Sequence, residues 1–313
     1  MKVLVIGGAG FIGSHIVDQL IAQGDEVIIM DNLSTGKENQ LHTQASFYNL
    51  DITSPDILTV FEKEKPEVVI HQAAQIHVQT SVVNPIFDAN INIMGTINLL
   101  EACRKTSVKK FIYASSAAIY GTPIHLPITE DHPIQPLSGY GISKFTPEMY
   151  LSVYQDLYDL SFTILRYGNV YGIRQDPRGE GGVISIFLDK ILQEQPLTID
   201  GDGMQTRDFI YVEDVARANI AAIHKGDGEI FNVGTGIQTS LNELISVFKQ
   251  VSSNPVSALH GQDRPGDIKH SYFDIEKIEQ HLDWKPQVTL EAGLINTFKY
   301  YEELYRQSAP HLK

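Results

Sequence analysis

Residues 2–13 read Lys2-Val3-Leu4-Val5-Ile6-Gly7-Gly8-Ala9-Gly10-Phe11-Ile12-Gly13, and their order decides the fold. Val3 to Ile6 is a short, unbroken apolar run, as a strand buried on both faces of a parallel sheet requires. Gly7, Gly10 and Gly13 follow at three-residue spacing. Ile16, Val17, Leu20 and Ile21 then repeat at helical spacing up to a stop at Gly24. Strand, glycine turn and helix in that order suit a pyrophosphate. The glycines let the turn tighten and the backbone come close, and the helix start points N–H groups at the phosphates.

Glu26–Met30 reads as the second strand and ends at Asp31, 18 residues past Gly13. A carboxylate there accepts hydrogen bonds from ribose hydroxyls and repels a 2′-phosphate. No Arg occurs from Asp31 to Gly36, so NAD is favoured over NADP. The alternation then continues. Phe47–Leu50 is a strand followed by Asp51-Ile52, at the adenine. Ser54 and Pro55 are placed as N-cap and first residue of a helix. Val68–Ile70 is a strand leading into His71-Gln72-Ala73-Ala74, small residues that let a loop lie against a cofactor. A long helix is expected over Ile86–Lys105. Phe111–Ala114 delivers Ser115-Ser116 to the strand end at which open α/β sheets bind ligands. This pattern predicts an α/β, Rossmann-like, doubly wound parallel sheet.

Tyr140-Gly141-Ile142-Ser143-Lys144 carries the chemistry. Tyr140 and Lys144 are one helical turn apart and share a face. A phenol with a free pKa near ~10 is a poor base at neutral pH. A nearby ammonium, and a cationic nicotinamide, favour the phenolate and make the pair a proton-transfer unit for an alcohol. His71 and His77 form no metal site by sequence, because no Cys or carboxylate cluster completes one.

After Tyr171 the alternation loosens. Asp176–Gly182 is a glycine-rich loop, and helices are expected at Val183–Leu192, Val212–Ile223 and Ser240–Val251. Ser240 and Glu243 would form a capping box on the last of these. Pro196–Ile199 and Phe231–Gly234 read as strands. The division is residues 1–168 for the nucleotide-binding part, with a strand and helix returning near 209–235. Residues 169–313 form the smaller C-terminal substrate-binding lobe.

The formal charge of −14 argues against a nucleic-acid or anionic-membrane surface. No apolar run approaches the ~20 residues of a membrane span, and the N-terminus lacks the apolar region of a signal peptide. One cysteine, Cys103, gives no intrachain disulfide framework, so a cytoplasmic setting is expected.

The residues above, with Asn92–Thr96, Ser115–Gly121, Leu165–Gly172, Thr206–Val212 and Arg264–Asp267, are similar over nearly the whole chain to the extended short-chain dehydrogenase/reductases, and most to their nucleotide-sugar epimerases. The resemblance implies NAD-dependent 4-epimerisation of a UDP-hexose, with Ser116, Tyr140 and Lys144 catalytic. It implies cofactor contacts at Gly7, Gly10, Phe11, Ile12 and Gly13, and then at Asp31, Asn32, Ser34, Gly36, Asp51 and Ile52. Gln72, Ala73, Ala74 and Gln75 complete that set, together with Tyr140 and Lys144. Asn169, Val183, Arg207, Arg264, Asp267 and Ser271 would join Ser116 on the UDP-sugar, and a homodimer is implied.

Some positions depart from the pattern. Gly168 stands where some members carry a bulky aromatic, Pro147 should kink the helix after Lys144, and Ser271 aligns with a gatekeeper beside the sugar 2-substituent. A small residue there admits N-acetyl groups. Ala117 and Ala118 replace the acid pair of a dehydratase. A UDP-glucuronate 4-epimerase or decarboxylase shares the catalytic trio, and a non-enzymatic NAD or nucleotide-sugar sensor is the other alternative.

Overall fold

The alternating strands and helices assemble into a seven-stranded, all-parallel sheet in a computed structural model that describes residues 1–177, 182–263, 266 and 268–308. The first half runs β1 (Lys2–Ile6), α1 (Phe11–Ala22), β2 (Glu26–Asp31), β3 (Ser46–Asn49), α2 (Ile57–Glu64), β4 (Val68–His71), α3 (Val78–Val83), α4 (Pro85–Ala89), α5 (Thr96–Thr106) and β5 (Lys110–Ser116). It continues with α6 (Gly139–Tyr158), β6 (Ser161–Tyr167), β7 (Asn169–Tyr171), α7 (Val183–Leu192), β8 (Leu197–Asp200), β9 (Thr206–Arg207), β10 (Phe209–Tyr211), α8 (Val212–His224), β11 (Glu229–Val233), β12 (Thr239–Ser240), α9 (Leu241–Val251), β13 (Ala258–Gly261), α10 (Glu276–Leu282) and α11 (Leu290–Ser308). The sheet order is β3-β2-β1-β4-β5-β6-β11, so the chain winds outward both ways from β1 and β4.

Alternate side chains of each strand face opposite layers. Val3, Val5, Val27, Ile29, Val68 and Ile70 pack with α1, α8 and α10. Leu4, Ile6, Ile28, Met30, Val69 and Tyr113 pack with α2, α5 and α6. A third cluster gathers Ile184, Phe187, Leu197, Tyr211, Phe248 and Phe298 from α7, β8, β10, α9 and α11, with Phe11 of the glycine turn among them.

Most boundaries follow the sequence reading, the capping box of Ser240 and Glu243 included. Two do not. α2 begins at Ile57 rather than Pro55, because Ser54 Oγ accepts the Asp56 N–H at 3.2 Å and closes a turn before the helix. The helix expected over Ile86–Lys105 is interrupted by a π-helical segment, Asn90–Gly95, between α4 and α5. α6 runs through Pro147 unbroken. Leu151 and Tyr154 on that helix are buried, while Val153 is 48% exposed. The Arg178–Gly181 part of the glycine-rich loop lies outside the described residues.

The glycine turn is as crowded as its spacing implies. Gly7 has φ +79°, and a Cβ there would meet the Ala73 nitrogen at 2.7 Å. A Cβ on Gly13 would meet the Gly7 oxygen at 2.1 Å. Both obstacles are backbone, so neither can swing aside. Gly13→Ala should therefore cost about 1–3 kcal/mol of stability, read as a lower urea midpoint at unchanged slope; an unchanged midpoint would mean the turn yields.

Candidate functional site

Because the strands are parallel, Gly7, Asp31, Gln72, Ser116 and Tyr167 all come to one edge of the sheet. A cavity of about 690 Å³ runs along it, from Gly7–Gly13 and Asp31 past Gln72–Gln75 to Ser116, Tyr140, Gly168 and Asn169, and ends at Gly182 and Val183. Ile12, Asn32, Ser34, Asp51 and Ile52 line the same cavity. Its volume is that of a sizeable ligand pocket, and its glycine end opens on the start of α1, whose N-cap is Gly10. A dinucleotide fits this arrangement: unhindered backbone for the pyrophosphate and a carboxylate for a ribose.

That carboxylate is already engaged. Asp31 Oδ2 accepts the Ala9 N–H at 3.0 Å and Oδ1 accepts the Leu33 N–H at 2.8 Å. Burial raises its pKa, and the two N–H bonds pull the other way. A carboxylate offers about four acceptor positions, so two are left for hydroxyls. Gly36 does not line the cavity but packs behind Asp31, where a Cβ would meet Oδ1 at 2.8 Å. Asp51 accepts from Thr53 and Asn32, at 2.8 Å from the Thr53 nitrogen and 2.7 Å from Asn32 Nδ2. Burial would raise its pKa, but these bonds outweigh it and hold the carboxyl below its usual range.

Two networks that the linear sequence did not announce brace the middle of the cavity. Gln72 Nε2 donates to Tyr167 Oη and to Asn219 Oδ1, both at 3.0 Å. Gln75 is held by the π segment and by α4: its N–H donates to Asn92 Oδ1 at 2.7 Å and its Nε2 to Asp88 Oδ1 at 2.6 Å. Asn92 Nδ2 in turn donates to Ser143 Oγ at 2.9 Å, tying the segment to α6.

Ser116 ends β5, and its Oγ accepts the Ala118 N–H at 3.2 Å. Tyr140 lies on the first turn of α6, which Ser138 caps through the Gly141 N–H at 3.1 Å. Burial raises the Tyr140 phenol, a hydrogen bond from Ser116 opposes it, and the Asp88 charge adds to the rise. For the chain itself, desolvation is the larger effect on the phenol. Lys144 is 4% exposed and does not line the cavity; its Nζ sits 4.7 Å above the Tyr113 ring. Burial brings its pKa down to about 7, against Glu148 and Asp88, which raise it.

The far end is less complete. Asn169 and Val183 line the cavity, Val183 as the first residue of α7. Arg207 and Ser271 do not, though they are neighbours: Thr206 O accepts from Arg207 Nη1 at 2.8 Å and from the Ser271 N–H at 3.2 Å. Arg264 and Asp267 lie outside the described residues. Among the described residues, no group of three or more His, Cys, Asp or Glu could hold a metal. His71 instead pairs Nε2 with Thr96 Oγ1 at 3.0 Å, and burial and Lys144 lower its pKa to about 3. No helix is long and apolar enough to cross a membrane, among the described residues.

Comparison with known proteins agrees with this architecture. A putative UDP-glucose 4-epimerase of Methanocaldococcus jannaschii is 51% identical over 93% of this chain and 95% of its own. The UDP-glucose 4-epimerase of Thermotoga maritima, solved with UDP-glucose, superposes with a TM-score of 0.94 at 45% identity, over 97% of this chain and 99% of that one. That of Thermus thermophilus, solved with NAD, gives a TM-score of 0.91 at 39% identity, over 99% and 100%. The model of the NAD dependent epimerase/dehydratase family matches residues 3–234, and the chain belongs to that family.

Proposed function

We propose that this chain interconverts the C4 epimers of a UDP-hexose, UDP-glucose and UDP-galactose in the first place. The observation that carries the reading is one continuous cavity joining the glycine turn and Asp31 to Ser116 and Tyr140. The relatives named above bear this activity in their names. NAD, when bound, would supply the hydride acceptor and donor, with Tyr140 in the lining of the same cavity. Gly7–Gly13, Asp31 and Gln72–Gln75 would hold the dinucleotide.

Ser116 and Tyr140 hold the sugar C4 hydroxyl, and Tyr140 takes its proton as C4 becomes a ketone. Once the sugar has turned about its diphosphate, so that hydride would be returned to the opposite face of C4, Tyr140 gives the proton back to the C4 oxygen. That turn needs a firm grip on the nucleotide and a loose one on the sugar. Asn169, the α7 N-terminus at Val183, Arg207, Arg264 and Asp267 suit the grip; a directed Arg fork and helical N–H groups both match a diphosphate. Gly168, which lines the cavity without a side chain, suits the looseness. Residues 169–313, apart from α8, β11 and α10, which belong with the central sheet, then act as the lobe that closes over the UDP-sugar.

A homodimer in the cytoplasm completes the reading. Its support is the run of exposed apolar residues on neighbouring helices, Val83, Ile86 and Phe87 beside Ile142, Met149 and Leu157.

Wild-type protein should convert UDP-galactose to UDP-glucose with no added NAD, and Tyr140→Phe should lose about 10²–10⁴-fold in kcat; near-normal turnover by the variant defeats the assignment. Wild type should also turn over UDP-GlcNAc and UDP-GalNAc. Ser271→Tyr should then lower kcat/KM for these by roughly 10–200-fold, while sparing the plain hexoses; equal rejection of acetylated sugars by both proteins counts against the gatekeeper.

A further inference from the structure

Behind the cavity, one turn beyond Lys144, sits a buried carboxylate that the proposed chemistry does not use. Tyr140, Lys144 and Glu148 follow each other at four-residue spacing along α6 and form one stripe of the helix. Glu148 is 4% exposed, and both of its oxygens are bonded. Oε1 accepts from Ser115 Oγ at 2.5 Å and from Arg166 Nε at 3.1 Å, and Oε2 accepts from Arg166 Nη2 at 2.6 Å. Ser115 is the residue before Ser116. Arg166 is the residue before Tyr167 and Gly168, which line the cavity. Arg166 is 3% exposed and extends the network, donating through Nη1 to Tyr120 Oη at 2.8 Å and to the Glu130 carbonyl at 2.9 Å.

We infer that Glu148 is a positioning residue of this site, its bidentate bond to Arg166 and its bond to Ser115 locking the catalytic stripe of α6 against the ends of β5 and β6. The inference rests on the epimerase reading above. A helix packed on a sheet by apolar contacts alone can slide by fractions of an ångström. Three directed bonds to a single carboxylate remove that freedom, and do so between the elements that carry Ser116, Tyr140 and Lys144. The carboxylate also acts through space. The charged or titratable groups around Lys144 are Glu148 and Tyr140 on its own helix, Asp88 from α4, Tyr113 from β5 and His71 from β4. Glu148 is the larger of the two influences that oppose burial and favour the lysine cation.

Three variants test this, each with thermal unfolding and retained NAD measured beside turnover of UDP-galactose. Glu148→Gln keeps the shape and removes the charge. It should lower kcat by roughly 10–100-fold with KM little changed, and it should move the alkaline loss of activity to lower pH, because Lys144 then loses its proton more easily. Glu148→Gln/Arg166→Gln leaves no unpaired buried charge; it should recover thermal stability over the single variant and yet keep the low kcat and the shifted limb. Ser115→Ala removes one bond and no charge, and should fold, lower kcat by about 3–10-fold and leave the limb in place. Wild-type kcat and an unmoved limb in the folded double variant, or wild-type kcat in Ser115→Ala, overturn the inference. An inactive wild type would instead strike at the epimerase reading, whatever the variants do.

Discussion

A parallel sheet has a direction, and every strand of this one delivers its last residue to the same edge. That constraint assembles the site. Gly7, Asp31, Gln72, Ser116 and Tyr167 are scattered over 160 residues, yet each stands at or just past the end of a strand. The chain winds away from β1 and β4 in opposite directions, and the parting of the loops at that point opens the crevice in which such folds bind ligands. Packing at the turn then does the rest. Gly13 presses on the Gly7 carbonyl closely enough to exclude a methyl group, so the helix start comes within reach of whatever occupies the trough.

At the other end of the trough, burial sets the electrostatics. It pushes the Tyr140 phenol up and the Lys144 ammonium down, each away from the charged form. Asp88 acts on both groups and Glu148 on the lysine alone. Asp88 disfavours the phenolate, and both favour the ammonium. Burial thus brings the lysine down to about 7 and favours the protonated phenol.

The fold was legible because its signals are local. Val3–Ile6, the glycine spacing and the Ser240–Glu243 capping box each announce themselves within a dozen residues, and the third of these is present with both of its bonds. Many of the residues that line the cavity were legible for the same reason, since they stand next to strand ends. What escaped was side-chain chemistry across long separations. Gln72 meets Tyr167 and Asn219 over 95 and 147 positions, and nothing in a linear stretch encodes such a meeting. The π segment at Asn90–Gly95 was hidden too, because its apolar spacing is that of an ordinary helix. So was the weight of desolvation: a Tyr and a Lys one turn apart reveal their proximity, but not that Lys144 is buried behind the cavity that Tyr140 lines. For Ser54, the serine–proline pair fitted a helix start and a turn equally well, and the bond to the Asp56 N–H decided for the turn.

The account stands or falls on hydrogen leaving and returning to one sugar carbon inside a closed site. UDP-glucose carrying deuterium at C4, incubated with the protein in ordinary water, tests this directly. The account expects UDP-galactose with the deuterium still at C4, because Tyr140 handles only the hydroxyl proton and the C4 hydrogen never meets solvent. Product in which solvent hydrogen has replaced the deuterium would contradict it.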